Sequence, residues 1–464
     1  MLFTDLRFIF IFLPFVLSLF YFTKSKNFRL LVILISSYIF YGSWNYKFLS
    51  LLFTSTVLDF FSGLAIYRFA DKKILRKSIL IFSMLCNLAI LGIFKYYDFF
   101  ITQVQTLLVN FGFQPDLPLL HVILPVGISF YTFQSMSYTI DIYFGSVTPT
   151  RNFFKFSAFI ALYPQLVAGP IVRYKQINRQ LEHINRPFSL KNFCCGIQLF
   201  VLGLAKKTII ADYIAGIINP MFERYLQIGM IETWLIILGY AFQIYFDFSG
   251  YSDMAIGLGK MLGFKFPYNF NSPYKARSVS DFWRRWHMTL SSFLKDYLYI
   301  PLGGNRTGLK KTIFNVMVVF LLCGIWHGAA WTFIIWGCYY GILAAGYNFW
   351  KNRWDGMPIL AQRSFTFVLV LIGWVLFRSN NIPMAGTLLS KMFDFSSLAS
   401  ALPDDIVRLL ILNIVLLVAV NSLPNSNSFK ISQNPIAAIS LALLFLLSLI
   451  AVNSLSIQFL YYQF

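Results

Sequence analysis

What most constrains this chain is a succession of long apolar runs that follow one another from end to end. They occupy residues 8–22, 30–44, 48–67, 78–94, 119–140, 154–172, 193–210, 231–248, 313–325, 329–349, 365–377, 406–423 and 436–452. A helix crosses the roughly 30 Å hydrocarbon core of a bilayer with about 20 apolar residues. Composition agrees with that solvent. Apolar residues make up 58% of the 464 and charged ones 12%, where soluble chains carry about 25% charged residues. A water-dispersed particle has too few polar residues here to cover its surface. The same figures exclude a disordered chain, a collagen-like repeat and a small disulfide scaffold. The expected fold class is therefore an all-α polytopic membrane protein. Roughly eleven to thirteen transmembrane or re-entrant helices are expected, the shorter runs being tilted, broken or re-entrant.

The flanks of the runs set topology. Residues 8–22 have the length of a signal-peptide core, but KSKNFR at 24–29 follows them where a small-residue cleavage site would stand. That is a stop-transfer pattern, and it predicts an uncleaved first span. The formal net charge is +20, from 38 basic and 18 acidic residues. In this setting it reflects Lys and Arg held on cytoplasmic loops beside anionic lipid, and no basic domain of independent size exists to bind nucleic acid. The basic stretches at 68–77 and 172–186 should be cytoplasmic, and residues 45–47 should lie outside. The cysteines (Cys86, Cys194, Cys195, Cys323 and Cys338) are odd in number and lie in or beside apolar runs, which suits small packing residues better than a disulfide framework. No CxxC or HxxxH spacing occurs, so no structural zinc or other metal site is expected.

Residues 260–311 hold ten Lys/Arg against two Asp, interleaved with Trp, Phe and Tyr. Too polar to cross lipid simply and too aromatic for a free loop, this stretch predicts interfacial or re-entrant helices. Its basic members Arg284, Arg285, Lys295 and Arg306, with Asn305, form a candidate surface for an anionic, phosphate-bearing ligand. Positive-inside topology would require the same residue types. Of the four histidines, His183 sits in a charged loop and His121 precedes an apolar run. His327 lies inside CGIWHGAAWTFIIWG and His287 inside DFWRRWHMTLSSF. An ionisable side chain within an apolar span is costly and thus a functional candidate, although a histidine hydrogen-bonded between helices or at the interface satisfies the same pattern. Asp247 and Asp253, in FDFSGYSDMAIG, are read as structural: Asp247 orienting a His or Arg inside the bundle, Asp253 capping a following helix. Asp141 is a structural polar group, and AGPIVR at 168–173 a helix terminator. Internal half-repeats with broken helices, which would favour a transporter or channel, are not visible.

These residues carry a resemblance. FWRRWHMTLSSFLKDYLYIPLGGNR followed by GIWHGAAWTFIIWG is similar to the membrane-bound O-acyltransferase family, in particular its bacterial alginate and peptidoglycan O-acetyltransferase branch. ILPVGISFYTFQSMSYTIDIY (123–143), YPQLVAGPIVRY (163–174) and QIYFDFSGYSDMAIGLG (243–259) resemble the same branch at matching spacing. The resemblance implies one membrane domain over 1–464, with N-terminal helices at 1–115, a catalytic core at 116–350 and C-terminal helices at 351–464. It implies His327 as the catalytic histidine and His287 as catalytic or near-catalytic. It further implies that no cofactor is bound, that acetyl-CoA or another acyl thioester from the cytosol is the donor, and that the chain is a multi-pass protein of the bacterial cytoplasmic membrane. The acceptor would be an extracytoplasmic polysaccharide, and a separate acyltransferase of the SGNH type outside the membrane would receive the acyl group. D-alanyl transfer to teichoic acid uses the same scaffold.

Acyl transfer to a hydroxyl needs a base for the hydroxyl proton and donors for the developing oxyanion. An imidazole, titrating near 6.5 when unperturbed, suits the first role near neutral pH. The chain also carries FLYYQF at 459–464, directly after an apolar run. Such a segment reads as an interfacial aromatic belt. It also resembles the acyl-relay motif of a small partner protein in teichoic-acid D-alanylation, where a tyrosine is thought to carry the acyl group. The matching residue is Tyr461, whose hydroxyl would need a neighbouring base to act as a nucleophile.

Overall fold

A computed structural model of the chain describes residues 1–306, 308–397, 404–428, 434–454 and 459–460. Among these residues the regular structure is helical throughout, with no strand. The chain is an all-α, multi-pass membrane protein. Among the described residues, seven helical stretches are long and apolar enough to cross a bilayer: Tyr46–Arg68, Lys73–Asn110, Leu190–Glu223, Leu309–His327, Ile359–Arg378, Asp405–Ser422 and Pro435–Val452. The other apolar runs form shorter helices or helices carrying charge, the broken elements that the short runs predict.

Two compact units are distinguished, residues 1–197 with 255–267, and residues 198–254 with 268–464. The first contains α1 (Leu13–Phe22), α2 (Lys26–Gly42), α3 (Leu49–Arg68), α4 (Lys73–Asn110), α5 (Ile128–Tyr143), α6 (Phe153–Ala161), α7 (Tyr163–Leu166) and α8 (Tyr174–Glu182). Its polar centre is Asp59 on α3. The carboxylate accepts from Asn87 Nδ2 of α4 at 2.9 Å and from the Ser135 hydroxyl of α5. In hydrocarbon such a group persists only when its hydrogen bonds are met inside the protein, so this cluster fixes the register of three helices at once. Arg29, in the KSKNFR stretch, donates to the carbonyls of Thr23, Ile184 and Arg186. It thereby ties the start of α2 to the basic loop after α8. Asn152 caps α6 by accepting the Lys155 N–H, and Lys155 reaches Glu182 of α8 at 2.8 Å. AGPIVR follows α7 as a buried turn and irregular connector, the terminator its Gly-Pro pair predicts.

The chain crosses between the units inside α9 (Leu190–Ala205) and again inside α11 (Met230–Met261), with α10 (Asp212–Glu223) between them. The second unit continues with α12 (Val279–Arg285), α13 (Met288–Leu294), α14 (Leu309–His327), α15 (Trp331–Asp355), α16 (Ile359–Arg378), α17 (Ile382–Lys391), α18 (Asp404–Ser422) and α19 (Pro435–Ser454). The basic stretch 260–311 is thus resolved into two seven-residue helices, α12 and α13, joined by a sharp turn at Trp286–His287. Neither is long enough to span lipid. Ser278 caps α12 by accepting the Asp281 N–H, and a π-helical turn, Lys295–Tyr299, extends α13.

Candidate active site

The site is built around the α14–α15 hairpin. Its close packing comes from glycines. A Cβ on Gly324 would run into the Phe333 carbonyl, and one on Gly337 would stand 2.5 Å from the Phe320 carbonyl oxygen. With no side chains there, the two backbones touch. α14 ends at His327, where Gly328 turns extended and leads into α15. His327 is left 4% exposed, and rings surround it. Trp326 lies at 4.9 Å between centroids, Trp336 of α15 at 5.0 Å and Phe377 of α16 at 5.2 Å, all edge-on. Three helices, α14, α15 and α16, therefore fix the orientation of one imidazole.

His287 is fully buried at the first turn of α13. Its backbone is left-handed, φ 43° and ψ 51°, a region that costs a non-glycine residue about 1–3 kcal/mol and that clusters at functional sites. Asn269 maintains the turn. Its carbonyl accepts the Met288 N–H at 2.9 Å, its side chain accepts the Thr289 hydroxyl at 2.6 Å, and its amide donates to Ser252 of α11 at 3.2 Å. The His287 ring meets Phe248 of α11 at 4.7 Å and Trp326 of α14 at 6.2 Å, again edge-on. The two histidines, 40 residues apart in sequence, thus share the Trp326 indole.

A cavity of about 440 Å³ is lined by α12, α13 and α14; neither histidine lines it, but Met288, next to His287, and Cys323 do. Arg284 and Lys295 stand on its wall with Ser291, Trp283, Phe320 and Cys323. Cys323 precedes His327 by one helical turn, on the same face of α14. Of the basic candidates, Arg284 and Lys295 line this cavity, whereas Arg285 turns to Asp281 at 3.0 Å. Asn305 and Arg306 are exposed and do not line it.

The acidic candidates have partners that differ from those expected. Asp253 does not cap a helix; it lies within α11 and pairs with Lys206 at 2.6 Å. Asp247 holds a lysine where a His or Arg was expected. Its Oδ1 lies 2.7 Å from Lys207 Nζ, which also meets Asp212 at 2.7 Å. Its Oδ2 accepts the backbone N–H of Leu460 at 2.8 Å. Phe459 stacks on Tyr251 at 4.8 Å and meets Phe248 edge-on at 6.3 Å. Tyr461 lies outside the described residues. Lys206, Lys207 and Asn269 were missed in the sequence. The signal for the lysines was a KK pair inside an otherwise apolar run.

A model of the MBOAT, or membrane-bound O-acyltransferase, family matches residues 38–379, taking in both histidines and the whole cavity lining. The chain belongs to the membrane-bound O-acyltransferase family. A probable alginate O-acetylase of Pseudomonas putida is 42% identical over 402 residues, covering 85% of this acyltransferase and 81% of that protein. A peptidoglycan O-acetyltransferase of Helicobacter pylori is 38% identical over 427 residues, 84% and 80% of the two chains. A teichoic acid D-alanyltransferase of Bacillus subtilis is 29% identical over 274 residues, 56% and 68%. This membrane-bound O-acyltransferase is an enzyme that joins an acyl group to a hydroxyl oxygen.

Proposed function

We propose that this acyltransferase moves acetyl groups from a cytosolic thioester, acetyl-CoA or its equivalent, toward hydroxyls of an extracytoplasmic polysaccharide such as alginate or peptidoglycan. Its site would be the bacterial cytoplasmic membrane, and a separate acyltransferase of the SGNH type outside would receive the group. The observation that carries the reading is the cavity walled by Arg284 and Lys295 and reaching Cys323, one turn before His327. The two cations suit the phosphates of the donor, Arg284 by a planar fork and Lys295 as a point charge. The apolar wall of Phe320 and Cys323 suits a short acyl chain.

His327 acts as the general base. It takes the proton of the attacking hydroxyl as the oxygen–carbon bond forms. The carbon–sulfur bond then breaks, and the His327 imidazolium returns the proton to the leaving sulfur, which departs as a thiol. His287, held in its strained turn, faces the shared indole and completes the site. Tyr461 is the first hydroxyl acylated and passes the group outward, so that one transfer over about 30 Å becomes two short ones. Acetyl is favoured over D-alanyl because the O-acetylating relatives match at 38–42% identity over most of both chains, the D-alanyl relative at 29% over about half of this one.

The test uses inside-out vesicles bearing the enzyme and radiolabelled acetyl-CoA. Label should enter the protein or its acceptor in the wild type and be absent in His327→Ala. Equal incorporation in both would refute the reading.

A further inference from the structure

Two adjacent lysines inside a membrane helix call for an explanation. At the end of α9 the chain forms a π-helical stretch, Lys206–Ala211. Such irregular turns often mark functional positions within helices. It lies against α11 through a second glycine pair: a Cβ on Gly250 would come within 2.6 Å of the Gly203 carbonyl oxygen and 3.1 Å of the Lys207 nitrogen. Although they are neighbours in sequence, both lysines reach acids of α11, Lys206 to Asp253 and Lys207 to Asp247. Lys207, Asp212 and Asp247 are all at most 5% exposed. Burying such a group costs several kcal/mol unless every charge and lone pair is met.

The cluster does more than join two helices. Lys207 Nζ occupies one oxygen of Asp247 and leaves the other directed at a backbone N–H, that of Leu460. The bond reads no side chain, but it fixes register, because it holds the backbone of Leu460 in particular. Phe459 seals the dock by stacking on Tyr251 and meeting the edge of Phe248. Phe248 also carries His287 on its other contact, at 4.7 Å. The residue that follows Leu460 is Tyr461, one peptide or about 3.8 Å further along the chain.

We infer that Lys207 and Asp247 form a dock that holds the start of the FLYYQF segment, Phe459–Leu460, by the Leu460 backbone N–H, and that they are positioning residues for acylation of Tyr461. The inference rests on the relay role given to Tyr461 above. It assigns the pair no contact with donor or acceptor.

The test separates the dock from the relay. In a cysteine-free background, Leu460→Cys keeps the donated N–H and places a thiol at a buried position. A membrane-permeant maleimide should label it slowly, and adding Asp247→Asn should raise the rate about ten- to a hundred-fold, the equivalent of a lost hydrogen bond to a charged group. Acylation of the Tyr461 peptide, read by mass spectrometry after donor is added, should fall by a similar factor while the Michaelis constant for donor stays constant. Leu460→Pro offers a second route that leaves the ionic cluster intact. It deletes the N–H and should lose ten-fold or more of Tyr461 acylation relative to Leu460→Ala. A cysteine at position 460 that stays shielded in Asp247→Asn overturns the dock. A released segment whose Tyr461 is acylated at the wild-type rate overturns the positioning role. Release of the segment together with a wild type that never acylates Tyr461 yet still transfers acetyl leaves the dock standing and removes the relay.

Discussion

His287 and His327 meet the same indole: Trp326 lies 6.2 Å from one ring and 4.9 Å from the other. One histidine comes from a strained turn and the other from the end of a membrane helix, so the pair is assembled by tertiary packing of α13 on α14. His327→Ala should lower acyl transfer by about 100- to 10,000-fold, the usual cost of losing a general base. Membrane insertion should be intact, since the substitution removes a ring from a helix end and adds no strain. Retention of more than a tenth of wild-type transfer at equal expression would show that His327 is not the base.

Arg284 and Lys295 stand on the cavity wall while Arg285 is held by Asp281. Arg284→Ala and Lys295→Ala should each raise the Michaelis constant for the thioester about ten- to a hundred-fold, with melting temperature unchanged. Arg285→Ala should shift donor dependence far less. Equal effects from Arg284 and Arg285 would mean that general positive charge, rather than the cavity, binds the donor.

Tyr461→Phe removes one oxygen and should stop transfer, and Tyr462→Phe, the matched control, should be mild. Peptide mass spectrometry of enzyme incubated with donor should find the acyl group on Tyr461. Full activity in Tyr461→Phe would return FLYYQF to the role of an aromatic membrane anchor.

Topology is checked by single cysteines in a cysteine-free background. Positions in 68–77 and 172–186 should react with impermeant maleimide only from the cytoplasmic side, and positions in 45–47 only from outside. Labelling of 68–77 from outside would reverse the direction of transfer.

The hairpin that bears His327 depends on Gly324. A methyl group there meets the Phe333 carbonyl, so Gly324→Ala should destabilise the protein by about 1–3 kcal/mol. Thermal unfolding in detergent measures this, and a melting temperature equal to wild type would show that α14 and α15 have room to part.

Much of this was legible in the residues. The apolar runs dictated an all-helical membrane fold because lipid leaves the backbone no other partner, and GIWHGA announced a polar group that hydrocarbon would otherwise exclude. The number of full spans was harder to read, since hydropathy does not separate a crossing helix from a short one packed inside protein, as α5 and α6 show. The partners of Asp247 were not legible at all. Lys207 and Leu460 are brought to it by a π-turn, a glycine contact and a chain return, and none of these has a local pattern. The left-handed turn at His287 was equally hidden, because Asn269 imposes it from outside the motif.

The ionic core also bears on how the protein is made. α11 carries Asp247 and Asp253 and is not among the seven helices apolar enough to cross unaided. A carboxylate near the centre of a lone helix opposes insertion by about 2.5–3.5 kcal/mol. Lys206 and Lys207 leave the ribosome about 40 residues ahead of these acids, in a stretch that does qualify as a span. The earlier helix is thus synthesised with its ammonium groups before α11 emerges, and α11 should enter lipid as the second half of a neutralised pair. Removing the lysines should therefore be felt first as chains in which α11 fails to enter the membrane, before any question of catalysis arises.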